Sequence, residues 1–209
     1  MHFEKAYIYH IYNQGNNKQT LFFNRENYLF FLKKIRTYIS PYADILSWCL
    51  MPNHFHLMVY VKEISLPVLS LSTASASLKA TPTLTNKRRT FNQSIGIMLR
   101  SYTNALNKQQ NRTGKLFREQ TKAACVTCFK GLKPSFIGNK INITIEEKDY
   151  PKILFDYIHQ NPIRAGLVSK GTDWEYSSAK DYKGLRNGKL INKIRAKEFI
   201  SNIHSVGVA

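Results

Sequence analysis

The segment Met51 to Val59, MPNHFHLMV, sets two histidines two residues apart directly after a Pro-Asn turn. In a β-strand alternate side chains share a face, so His54 and His56 point one way and Phe55 and Leu57 the other. Two imidazoles one pleat repeat apart can hold one divalent metal as neighbouring ligands, or can each be satisfied by a separate hydrogen bond. Downstream, Tyr102 shares the helical phase of Phe91, Ile95, Met98 and Leu106. It is either a core tyrosine or one whose ring packs while its hydroxyl reaches the metal site. Arg100 and Lys108 near it, and Lys87, Arg88 and Arg89 upstream, offer contacts to phosphate. Cys125 and Cys128 form a C-x-x-C, but a zinc site needs two more ligands and no second pair exists. The pair reads as structural or incidental, on a strand.

The elements that position these residues can be read from period and punctuation. Residues 5–13, aromatic and β-branched, predict a first strand. The polar loop after it carries Asn13 and Asn16 around Gly15, where glycine permits an unusual backbone angle and the two amides could read a base or a phosphate. Asn24 caps a helix over 25–39, followed by strands over 44–50 and 54–61 joined at Met51-Pro52-Asn53. Residues 62–90, rich in Ser and Thr, read as a loop or partly ordered insertion. A second helix follows over 91–109, then a strand over 116–126 that carries Arg118 and Lys122 as candidate DNA contacts. A variable loop spans about 130–148. A helix over 149–160 stops before Asn161-Pro162, placing His159 on a helix surface and Arg164 beyond the helix as a partner for phosphate or an acid. A short helix covers 177–182, and His10 has no assigned role. Strand, helix, strand, strand, helix, strand is the split βαβ order. The fold class is therefore α+β, ferredoxin-like, with an antiparallel sheet, helices on one face and a C-terminal helical extension, in a single domain over 1–209.

Composition narrows the function classes. Lys and Arg number 31 against 13 Asp and Glu, a formal net charge of +18 over 209 residues. An acidic partner is expected, and nucleic acid is the commonest. No run of about 18 apolar residues exists to span a membrane. The N-terminal residues lack the apolar stretch of a secretory signal, and an odd cysteine count suits a reducing compartment, so the expected location is cytoplasmic.

Four blocks in order carry a resemblance. MPNHFHLM looks like the His-hydrophobic-His motif of single-strand DNA transposases that use one catalytic tyrosine, and more closely that of the REP-associated tyrosine transposases. YHIYNQGNNKQTLF (9–22) resembles the family's first strand and Asn-x-Gly loop. SYTNALNKQQNRTGKLFREQTKA (101–123) resembles its tyrosine helix and following turn. YIHQNPIRAGLVSKGTDWEYSSAKDY (157–182) resembles its C-terminal signature. The resemblance implies cleavage and rejoining of single-stranded hairpin DNA through a 5′-phosphotyrosine, with Tyr102 as nucleophile and His54 and His56 holding Mg²⁺ or Mn²⁺, of which Mn²⁺ accepts imidazole better. It also implies a third ligand, a Gln four residues after the tyrosine. Here that position is Leu106, and Asn107 is the nearest, weak, substitute. Some relatives are dimers that exchange tyrosine helices, while others are monomers. The competing readings are a non-catalytic nucleic-acid-binding module, including a decayed transposase, and a ribosomal-type RNA-associated protein. A module that only binds and an RNA-associated protein explain the charge but not the two histidines and the tyrosine together.

Overall fold

The structure, a computed structural model, describes residues 1–71, 82–128 and 146–200. In chain order the main elements are β1 (Ile8–Gln14), α1 (Arg25–Tyr38), β2 (Ala43–Met51), β3 (His54–Val61), β4 (Ser65–Leu71), β5 (Pro82–Thr90), α2 (Phe91–Gln109), β6 (Lys122–Cys125), α3 (Tyr150–Arg164), α4 (Ala179–Tyr182) and α5 (Lys193–Lys197). Four strands form one sheet in the order β2-β3-β1-β6, every neighbouring pair antiparallel. This is the split βαβ sheet, so the α+β, ferredoxin-like expectation holds. No helix among the described residues is long and apolar enough to cross a membrane.

The strand register sorts side chains between two faces. On one, Phe55, Leu57, Val59 and Ile11 join Phe31 and Ile35 of α1 and Ile95, Met98 and Tyr102 of α2 in the larger core. Burying Phe31 and Phe55 completely stabilises the fold by roughly 1.5–3 kcal/mol each. Both helices start as their sequences dictate. Asn24 accepts from the Asn27 amide, and Thr90 and Gln93 form a reciprocal capping box. On the other face, Ile8, Leu46, Cys49 and Met58 pack against Leu154, Phe155 and Ile158 of α3 and against Tyr182 and Ala196 of the C-terminal segment. The C-terminal extension thus covers the face that α1 and α2 leave open.

Residues 65–71 and 82–90, read as loop, pair as the antiparallel β4–β5 hairpin; its tip, 72–81, lies outside the described residues, as does most of the variable loop at 130–148. The strand expected over 116–126 is laddered only over Lys122–Cys125, with Phe117 making a single bridge to Gly15. Gly15 has an ordinary φ of −56°. Glycine is needed there because a Cβ would lie 2.1 Å from the Gln19 carbonyl oxygen. A disulfide joins Cys125 to Cys128.

Helix α3 departs furthest from expectation. It does not stop before Asn161-Pro162 but runs on to Arg164. A proline in the last turn removes only one intrahelical hydrogen bond. The helix closes instead on Gly166, at φ +68°, with Gly166 N donating to Ile163 O and Leu167 N to Pro162 O, a Schellman cap. Tyr157, Asn161 and Arg164 therefore share one helical face at i, i+4 and i+7.

Candidate active site

The register places the histidines. His56 lies opposite Cys49 on β2 and Tyr12 on β1, and Tyr12 lies opposite Lys122 on β6; His54 lies opposite Met51 and Gln14. Directly paired residues share a face, so His54, His56, Tyr12, Gln14, His10 and Lys122 all sit on the α3 side of the sheet. A cavity of about 380 Å³ opens there, lined by Tyr12, Asn13, Gln14, His54, His56, Arg118, Gln120, Lys122 and Tyr157. That lining contains two cations and no carboxylate.

Tyr157 projects from α3 over this cavity, its ring centroid 5.5 Å from that of His56 and edge-on to it. The Arg164 guanidinium lies 5.4 Å from the Tyr157 ring centroid, and Asn161 Nδ2 donates to the Tyr157 carbonyl at 2.9 Å. Burial raises the phenol above its ordinary pKa, while the Asn161 amide and the Arg164 charge pull it back down.

Each histidine of the pair is held through Nδ1. His54 Nδ1 bonds Asn53 Oδ1 at 2.6 Å, and His56 Nδ1 bonds His10 Nε2 at 2.9 Å. His56 Nε2 is buried without a hydrogen-bond partner. Burial keeps both rings neutral, and His56 is held down further by His10 and His54 beside it. His10 is pushed down to about 3 by burial. Among the described residues no group of three His, Cys, Asp or Glu could hold a metal. The donor set is two neutral imidazoles, one with an unsatisfied buried nitrogen. A borderline divalent ion with oxygen ligands from substrate or water fits that set.

Tyr102 does not belong to this site. Its ring packs among Phe22, Phe30, Phe31 and Phe117 on the opposite face of the sheet, and its hydroxyl donates to Leu21 O at 2.7 Å. Burial raises its pKa strongly. It is the core tyrosine that its periodicity allowed. Asn107, the weak candidate ligand near the end of α2, donates to Gly114 O in the turn that follows that helix.

Of the expected DNA contacts, Asn13, Arg118 and Lys122 line the cavity, and Arg164 covers Tyr157. Asn13 is itself tied down, donating to Arg118 O and Thr121 Oγ1. Lys87, Arg88 and Arg89 lie on β5, where Arg88 bonds Ser65, and Asn16 lies in the loop beside Leu116. Arg100 lines a separate groove of about 930 Å³ between α2 and residues 114–121. His159 is not at a surface: it is buried, with Nε2 2.7 Å from Ser178 Oγ. The residues missed are Tyr12, Gln14, Gln120, His10 and Tyr157. Tyr157 had a readable signal, since the amide sought four residues after the tyrosine is absent after Tyr102 and present after Tyr157 as Asn161.

No protein-family model matches this chain, and comparison with curated proteins finds no match. Among solved structures, the fold is similar to that of a REP-associated tyrosine transposase bound to a REP hairpin, at 15% identity and a TM-score of 0.53, covering 100% of this chain and 95% of that one.

Proposed function

We propose that the chain is a single-strand DNA transposase that cleaves and rejoins hairpin DNA through a 5′-phosphotyrosine, with Tyr157 in place of Tyr102 as nucleophile. The observation that carries this reading is the convergence of Tyr157, His54 and His56 on one cavity with Arg118 and Lys122 and without an acid. The fold neighbour, which was solved with a REP hairpin, supports hairpin DNA as the substrate class.

His54 and His56 would hold Mg²⁺ or Mn²⁺, which when bound supplies positive charge beside the scissile phosphate. Arg118 and Lys122 anchor flanking phosphates, and the cation pair raises the local concentration of a polyanion. Tyr157 Oη forms a bond to phosphorus as the P–O3′ bond breaks. The phenol loses its proton and the departing 3′ oxygen gains one, so one phosphodiester is exchanged for another. A second 3′-hydroxyl can reverse the step without ATP. Asn161 and Arg164 favour the phenolate that this attack requires.

The test is a hairpin oligonucleotide with single-stranded flanks, labelled at its 3′ end and incubated with protein and Mn²⁺. A labelled adduct that survives denaturation and is absent with chelator supports the reading. Tight binding with no adduct at any metal concentration favours the non-catalytic module.

A further inference from the structure

We propose that His10 and Asn53 are positioning residues that fix the tautomers of His56 and His54, so that both histidines present Nε2 to the metal. The inference rests on the reading of His54 and His56 as metal ligands.

A neutral imidazole carries one N–H, and the nitrogen that ligates a metal must be the other one. Asn53 Oδ1 can only accept, so its 2.6 Å contact with His54 Nδ1 requires the proton on Nδ1 and leaves the lone pair on Nε2. His56 makes the same kind of contact through the same nitrogen, 2.9 Å from His10 Nε2. That contact has two senses. If His10 donates, His56 carries its proton on Nε2 and is closed to metal. If His56 Nδ1 donates, the buried Nε2 keeps its lone pair. The second sense leaves His56 Nε2, which has no hydrogen-bond partner, as an acceptor awaiting a cation. His10 must then accept through Nε2 and carry its own proton on Nδ1. It is 2% exposed and stacks on Tyr12 with ring centroids 4.6 Å apart, which holds the ring in place at the edge of His56. A neutral imidazole here does what a carboxylate or carbonyl does behind most metal-bound histidines, without adding a charge to a buried site.

The tautomers can be read directly, without metal, from long-range ¹H–¹⁵N correlations of the imidazoles at pH 7.5. The wild-type protein is expected to show His54 and His56 protonated at Nδ1. In His10→Phe, which keeps a ring but removes the acceptor, His56 should move towards the Nε2–H form and Mn²⁺ affinity, from electron paramagnetic resonance titration, should fall about 10–100-fold. His10→Gln, which restores an acceptor, should recover most of that loss. Asn53→Ala, in the half-buried turn between β2 and β3, gives a second variant should His10→Phe fail to fold, with a similar loss that Asn53→Asp reverses. Nε2-protonated His56 in the wild-type protein, or unchanged Mn²⁺ affinity in both His10→Phe and Asn53→Ala, would overturn the positioning role. If His54→Ala and His56→Ala still abolish Mn²⁺ binding in that case, the metal site stands alone. Absence of Mn²⁺ binding by the wild-type protein would overturn both.

Discussion

Two tyrosines separate structure from chemistry at the residue scale. Tyr102 presents its hydroxyl to a backbone carbonyl inside a core of phenyl rings, whereas Tyr157 presents its ring to His56, His10 and Arg164. Tyr102→Phe is expected to cost about 1–2 kcal/mol in urea denaturation, because Leu21 O loses its donor in a buried setting, and to leave strand cleavage intact. Tyr12 is the control at the other wall of the cavity. Tyr12→Phe should retain the covalent adduct, which a denaturing gel reads. His56→Ala should abolish metal-dependent cleavage while the melting temperature shifts only by the loss of one buried side chain. The histidines were legible in the sequence because period-two alternation decides their face. The tyrosine was not legible from periodicity, because an amphipathic helix carries a core tyrosine and a site tyrosine with the same spacing; only the amide four residues on, Asn161, separates them.

The helix α3 decides the site at the scale of elements. Stopping it before Asn161-Pro162 separates Arg164 from Tyr157; letting it run to the Gly166 cap puts Tyr157, Asn161 and Arg164 on one face. Sequence patterns located α1, α2, β2 and β3 almost to the residue, since each has a strong period and a clear cap or turn. They failed at α3 because a proline ends most helices yet costs little in a last turn. They failed at β4–β5 because a Ser/Thr-rich hairpin lacks the apolar alternation that marks a half-buried strand. Gly166→Ala forces a left-handed φ on a residue with a Cβ and is expected to destabilise the helix end by about 1 kcal/mol, weakening cleavage more than DNA binding. The other side of α3 makes a pH prediction. Burial holds His159 at about 3, so between about pH 6.5 and 3 the unfolded chain binds a proton that the folded chain refuses. Stability contributed this way is complete above pH 6.5 and falls as pH drops, by up to about 1.4 kcal/mol per unit. Denaturant midpoints at pH 7.5 and 5 should differ less in His159→Gln than in the parent, and equal slopes would contradict the burial argument.

For the whole molecule, a net charge of +18 makes binding to any nucleic acid strong and salt-dependent, so affinity alone says little about function. The distribution says more. Arg118 and Lys122 share the cavity with the histidines, while Lys87, Arg88 and Arg89 lie on a separate hairpin. Arg118→Ala should lower the slope of log affinity against log salt by about 1 and reduce cleavage, whereas Arg88→Ala should change binding with little effect on cleavage. Which tyrosine takes the phosphate decides the chemistry of the site. The direct measurement is tryptic mass spectrometry of the protein after reaction with hairpin DNA and Mn²⁺, run beside Tyr157→Phe and Tyr102→Phe. A nucleotide adduct on the peptide containing Tyr157, lost in Tyr157→Phe and kept in Tyr102→Phe, is the predicted result; an adduct on Tyr102, or one that survives in Tyr157→Phe, would contradict it.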